Sequence, residues 1–237
     1  MKERGILCRR PLKGNVLTQR HRRLRVIWAR NMLANRRNWR DVVFSDESKF
    51  NLSHADGRLR IYRRRHERFA ANCVIQHDRF GGGGVMVWGA INHNFKSSLV
   101  ILRDTLTARR YIDQVLCPEL LPLIRRHQTV NNPLTFQQDN ARAHTARITM
   151  DFLNTNGVNI MEFPARSPDL NPIEHVWDEL GRRLKGRQRQ PRSVPELAQA
   201  LQEEWNNIPM RRIRAVCQSM RSRLRACENA NGGHTRY

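Results

Sequence analysis

Three acids carry the chemistry this chain is equipped for. Asp46 closes the run Val42-Val-Phe-Ser-Asp46, Asp139 closes Leu134-Thr-Phe-Gln-Gln-Asp139, and Glu174 ends Ser167-Pro-Asp-Leu-Asn-Pro-Ile-Glu174. The first two sit where a short apolar run gives out, so each carboxylate is expected at a strand end, open to solvent and ligand. Glu174 admits two readings. Asn171 suits a helix N-cap and Pro172 the first helical position, so Glu174, three residues after the cap, can reach back and close a capping box. Alternatively it is the third carboxylate of a metal site. Mg²⁺ and Mn²⁺ prefer such hard oxygen ligands and keep water and substrate phosphate in their remaining positions. Two such ions roughly 4 Å apart can activate a water or a 3′-hydroxyl for in-line displacement at a phosphodiester. With 21 acids in the chain, triples also arise by chance, so the elements that position these three decide between the readings.

The surrounding pattern is that of an α/β layer arrangement. Short apolar strands are expected at 41–48, 49–52, 59–62, 85–91, 99–102, 134–139 and 158–163, with the Asp56-Gly57 turn joining two of them. Helices are expected from Thr18 to Asn35, from Thr107 to His127 with a kink at Pro118 and Pro122, and from Thr145 to Asn156 with Gly157 beyond it. Further helices are expected from Pro172 to Lys185, after the Ser193-Val-Pro-Glu196 capping box, and from Met210 to Cys227. Their apolar faces are read as Leu24, Ile27, Trp28 and Met32 in the first, Ile148, Phe152 and Leu153 in the third, and Ile213, Val216, Cys217, Met220 and Leu224 in the last. The remaining arginines, Arg25 and Arg223 among them, are then assigned to solvent or phosphate. Trp28, Trp88, Trp177 and Trp205 are read as core, and Asp169 as a turn residue. Glu47 supports the site or is solvated. Asn140 and His144 either orient Asp139, touch a phosphate or serve as local hydrogen-bonding groups.

Charge narrows the partner. The 237 residues carry a formal net charge of +22, and 38 of the 43 basic residues are arginine, whose planar fork matches phosphate oxygens. A polyanion is the expected partner, and nucleic acid the foremost. The five cysteines form no C-x-x-C pair, which argues against a zinc site or disulfide framework and fits a reducing compartment. Gly81-Gly-Gly-Gly84 lacks the Lys-Ser/Thr of a phosphate-binding P-loop. Without a long apolar stretch, a soluble intracellular protein with no membrane partner is expected.

Phe44-Ser-Asp-Glu-Ser-Lys-Phe50, Phe136-Gln-Gln-Asp-Asn-Ala-Arg-Ala-His-Thr145 and Ser167 to Glu174 resemble the three acidic motifs of the Tc1/mariner transposases. The 34 residues between Asp139 and Glu174 match the DD34E pattern of the Tc1 branch, and Gly81 to Gly89 is similar to its glycine-rich strip. The resemblance implies an RNase H-like mixed sheet flanked by helices, with further helices at the C-terminus. It implies a DDE centre on Asp46, Asp139 and Glu174, binding Mg²⁺ with Mn²⁺ able to substitute. Cut-and-paste transposition into TA target DNA follows, with transposon ends as DNA partners, a homodimer or synaptic oligomer as the assembly and the nucleus as the location. A basic linker and lead-in helix at 1–40, a catalytic domain at 41–190 and C-terminal basic helices at 191–237 are expected. Family members carry paired helix-turn-helix modules ahead of the catalytic domain. Only 45 residues precede Asp46, so a truncated copy is expected. The competing reading is a decayed or domesticated remnant that binds DNA without cutting it.

Overall fold

The computed structural model describes residues 16–52, 83–129 and 133–237. Five strands form one mixed sheet in the order β3-β2-β1-β4-β5: β1 (Val42–Asn51), β2 (Gly84–Ile91), β3 (Val100–Leu102), β4 (Thr135–Gln137) and β5 (Asn159–Met161). β1 pairs antiparallel with β2 and parallel with β4, and β4 pairs parallel with β5. The expected strand at 59–62, its turn, the arginines at 63–65 and Gly81 lie outside the described residues.

Alternation along β1 sorts the core into two layers. Val42 and Phe44 face α6 (Ile173–Gly186), α7 (Val194–Asn206) and α8 (Met210–Gln218), whose Trp177, Leu180, Leu201, Trp205 and Ile213 share that core. Val43 faces the other way, with Phe136, Tyr111, Leu116 and Leu153. That second layer comprises α2 (Ala108–Tyr111), a wide π-type stretch Ile112–Leu120, α3 (Leu121–His127), α4 (Arg142–Thr145) and α5 (Arg147–Thr155). Pro118, which has no amide proton to donate, lies inside the π-type stretch, and Pro122 lies in the first turn of α3.

Several expectations need correction. The segments at 41–48 and 49–52 are one strand, because pairing with β2 runs unbroken from Phe44 to Asn51. Asp46 therefore lies mid-strand, and what ends before it is only the parallel pairing with β4, at Phe44 and Gln137. In α1 (Gln19–Ala34), Leu24 and Ile27 are largely exposed, whereas Arg25 and Ala29 are fully buried. The inward line is 25, 29 and 32, an equally regular helical spacing displaced by one residue. In α5 the buried pair is Thr149 and Leu153, and Ile148 faces out. The last helix is two, α8 and α9 (Met220–Asn229), broken at Ser219, and Arg223 is buried rather than on the surface.

Candidate active site

Backbone register aligns the first two acids. Phe44 stands opposite Gln137, and carrying that parallel register two residues onward brings Asp46 level with Asp139 on the face that carries α6. Ser45 Oγ donates to Gln137 O at 2.9 Å, tying the strands just before they part. On the other side of β1, Asp46 stands opposite Gly89. A Cβ at Gly89 would lie 2.8 Å from the Trp177 ring and 3.0 Å from Trp205, so glycine is what lets Trp177 lie across the strand. From there its indole N–H donates to Asp46 Oδ2 at 3.2 Å.

Helix α6 delivers the third acid through ties on either side of it. Asn171 Nδ2 donates to Ser45 O at 3.0 Å, and Trp177 reaches Asp46. Glu174 lies in the first turn of α6, between Asn171 just ahead of the helix and Trp177 one turn on, which sets it between the two ties. The capping-box reading is not observed. Asn171 Oδ1 accepts the Ile173 amide at 3.3 Å, but no side-chain cap bond involves Glu174.

The loop before α6 is held by two buried arginines from the two ends of the described chain. Arg25 forks onto Asp169, at 2.7 Å to Oδ1 and 2.6 Å to Oδ2, while donating to Gly232 O and Arg166 O. Arg166 has a left-handed φ of 56°, unfavourable for a residue with a Cβ, and the guanidinium anchors that turn. Arg223 donates to Asp169 O at 2.7 Å and to His175 Nδ1 at 2.9 Å. Asp169 is thus a turn residue, as expected, and also the anion at the centre of a clasp joining α1 and α9 to the loop that carries Glu174.

Asp139 is fixed locally. Its Oδ1 accepts the Ala141 amide at 2.8 Å and faces His144 Nδ1 at 2.7 Å. His144 Nε2 stands 3.3 Å from Glu47 Oε1, within charge attraction but off the line of a hydrogen bond, so both atoms are unpartnered among the described residues. Burial pushes the His144 pKa down, but contact with Asp139 and Glu47 outweighs it and raises it to about 10, so the ring is an imidazolium at neutral pH. In return, burial acts upward on Asp139 while the His144 and Ala141 hydrogen bonds prevail and hold it below its ordinary value. The other two acids go the opposite way. Burial, then the charges of Glu174 and Glu47, pushes Asp46 up to about 8. Burial and Asp178 push Glu174 up to about 7.

Asp46, Asp139 and Glu174 line one cavity of about 430 Å³, with Asn140, Phe163 and Ser167. No three His, Cys, Asp or Glu among the described residues yet stand close enough to enclose an ion. The donor set still suits a hard divalent cation. Three carboxylates face one space, and burial, the main cause of the raised pKa values of Asp46 and Glu174, is a cost that a bound cation would offset.

Residues 41–198 match the family described as DDE superfamily endonuclease, a span that contains all three acids. The Tcb1 transposase of Caenorhabditis briggsae is 36% identical over 98% of this chain and 84% of its own length. The Tc3 transposase of Caenorhabditis elegans is 34% identical over the whole chain and 70% of its own length. The chain belongs to the Tc1/mariner transposases of the DDE superfamily. Its fold is that of the Mos1 transposase catalytic domain, solved with raltegravir and Mg, at a TM-score of 0.72 and 20% identity over 93% of this chain and 99% of that one. The Mos1 paired-end complex with Mn superposes with a TM-score of 0.79, at 20% identity over 99% of this chain and 69% of that one. The RNase H-like mixed sheet expected from the motifs is therefore observed.

Sequence reasoning missed Trp177 as a partner of Asp46, although its spacing of three from Glu174 pointed to that side of α6. It also missed Gly89, Arg25 and Arg223. For Arg25 the signal lay in the 25, 29, 32 line of α1, passed over because an arginine was counted as polar.

Proposed function

We propose that this chain is the catalytic domain of a DNA transposase that cuts phosphodiester bonds and joins the freed end to target DNA. The observation that carries the reading is the convergence of Asp46, Asp139 and Glu174 on one cavity from two strands and a helix. In this reading the three carboxylates hold Mg²⁺, with Mn²⁺ able to substitute. When bound, the cation supplies an activated oxygen nucleophile and stabilises the leaving oxygen. The chain's own residues do the rest. Protonated His144 keeps Asp139 ionised, the Trp177 indole orients Asp46, and the Asp169 clasp sets the height of Glu174. A second cavity of about 940 Å³ shares Glu174 and is edged by Lys49, Arg182, Lys185 and Arg212, which gives DNA phosphates a basic path beside the acids. Transposon ends and a TA target are the proposed DNA partners, a dimer or synaptic oligomer the proposed assembly, and the nucleus the proposed location.

The test is nicking of supercoiled DNA by the purified protein with Mn²⁺ or Mg²⁺. Asp46→Ala and Asp139→Ala are expected to abolish nicking and to retain DNA binding; nicking that survives both removes these residues from the mechanism. A second reading is a remnant that binds DNA without cutting, for which the basic path beside the acids would suffice. It predicts salt-sensitive binding and no nicking with either ion.

A further inference from the structure

A different cavity lies ahead of β1, away from the acids. It measures about 420 Å³ and lies between the end of α1, the turn Trp39–Asp41 that leads into β1, and the α8–α9 junction. Asp46 is several residues along β1 from that turn, on the order of 15 Å at a strand's rise per residue. The cavity is lined by Leu33 and the half-buried Trp39, whose ring also packs on Phe44 and Trp28, by the polar Asn38, His93 and Gln218, and by Arg36, Arg37, Arg40 and Arg221. None of these four arginines pairs with a carboxylate among the described residues. Arg37 Nε is buried without a hydrogen-bond partner, although its terminal nitrogen reaches Thr135.

The way α1 ends adds an independent observation. Arg37 N donates to Met32 O and Arg36 N to Leu33 O, the paired bonds of a Schellman cap. The residue that must then turn left-handed is normally glycine. Here it is Arg36, with φ 46°. Arg36 takes this strained backbone at a position that lines the cavity, next in sequence to Arg37 with its unpartnered nitrogen.

We propose that this cavity binds a single phosphorylated nucleoside, its base against the exposed part of Trp39 and Leu33 and its phosphate among the arginines. Guanidinium forks match phosphate oxygens, and flat bases seat on aromatic and apolar surfaces without sequence preference. A paired duplex keeps its bases stacked inside and reaches only the rim, so the occupant is an unpaired nucleotide of a DNA strand or a free nucleotide. The site is distinct from the cutting centre and does not rest on its chemistry.

The experiment measures binding in EDTA, where no metal-dependent step operates. A labelled duplex with a one-nucleotide overhang, the same duplex blunt-ended, and dAMP are compared on the wild-type protein and on the Arg36→Gly/Arg221→Ala variant. Glycine suits the left-handed position, so the variant is expected to melt no lower than wild type, which separates lost binding from lost folding. Overhang binding is expected to weaken about tenfold with a salt slope lower by about 2, and blunt-duplex binding to stay unchanged. If dAMP also quenches tryptophan fluorescence in the wild type and not in the variant, free nucleotides share the site. Equal losses on both duplexes, or no loss on any probe, overturn the proposal.

Discussion

The strand-borne acids and the helix-borne acid reach the same cavity by different physics. Asp46 and Asp139 are placed by β1–β4 register, and their supports are near neighbours: Gly89 across the ladder for Asp46, and Ala141 and His144 a few residues beyond Asp139. Glu174 rides on a helix whose leading loop is pinned by Arg25 and Arg223, 144 and 54 residues away from Asp169. Backbone pairing is redundant and tolerates the loss of one side chain. A buried charge clasp does not, because removing one partner strands the other.

The sharpest way to break that comparison is Asp169→Ala. It leaves the Arg25 guanidinium buried and unpaired, and is expected to lower unfolding free energy by about 3–5 kcal/mol in urea titrations. Nicking should fall with it, while Asp46 and Asp139 keep their register; unchanged stability would mean that the clasp does not hold the loop.

Next in size is Gly89→Ala, which probes the strand side. The added Cβ must push Trp177 and Trp205 aside, an overpacking cost of about 1–3 kcal/mol. It should also part the indole from Asp46, and a wild-type melting temperature would contradict the close approach.

A third way to probe the strand side is pH. Asp46 keeps its proton in the folded, metal-free protein up to about pH 8 but loses it near 3.8 when unfolded. Between those values the unfolded state binds fewer protons, so the stability this group contributes is full below pH 3.8 and is lost as pH rises toward 8. Thermal melts in EDTA are expected to fall over that window, less so for Asp46→Asn. An equal slope in both proteins would remove Asp46 as its source.

The same contrast governs what could be read from sequence. Apolar runs ending in acids mark Asp46 and Asp139 because strand alternation is local, whereas the register with β4 and the Gly89 and Trp177 contacts that place Asp46 come from far along the chain. The pairing that carries β1 past Asp46 to Asn51 was not legible, since nothing in Lys49-Phe-Asn51 distinguishes a continued strand from a new one. Glu174 was legible as a residue but not in its support. Arg25 and Arg223 look like any other arginine in a chain with 38 of them, and only tertiary packing buries those two. The helix ends show the same limit. Thr18 caps α1 as its sequence indicates, but Ser219, where α8 gives way to α9, carries no Pro or Gly to announce the break.

The central claim, that a helix-borne carboxylate completes a metal centre begun on two strands, is tested most directly by Glu174→Gln. Glutamine keeps the size and polarity of the side chain but is a poor ligand for a hard cation. Mn²⁺-dependent nicking of supercoiled DNA is expected to fall by at least about a hundredfold, with thermal stability in EDTA unchanged or raised. Undiminished nicking by that variant would return Glu174 to a structural role and contradict the three-carboxylate centre.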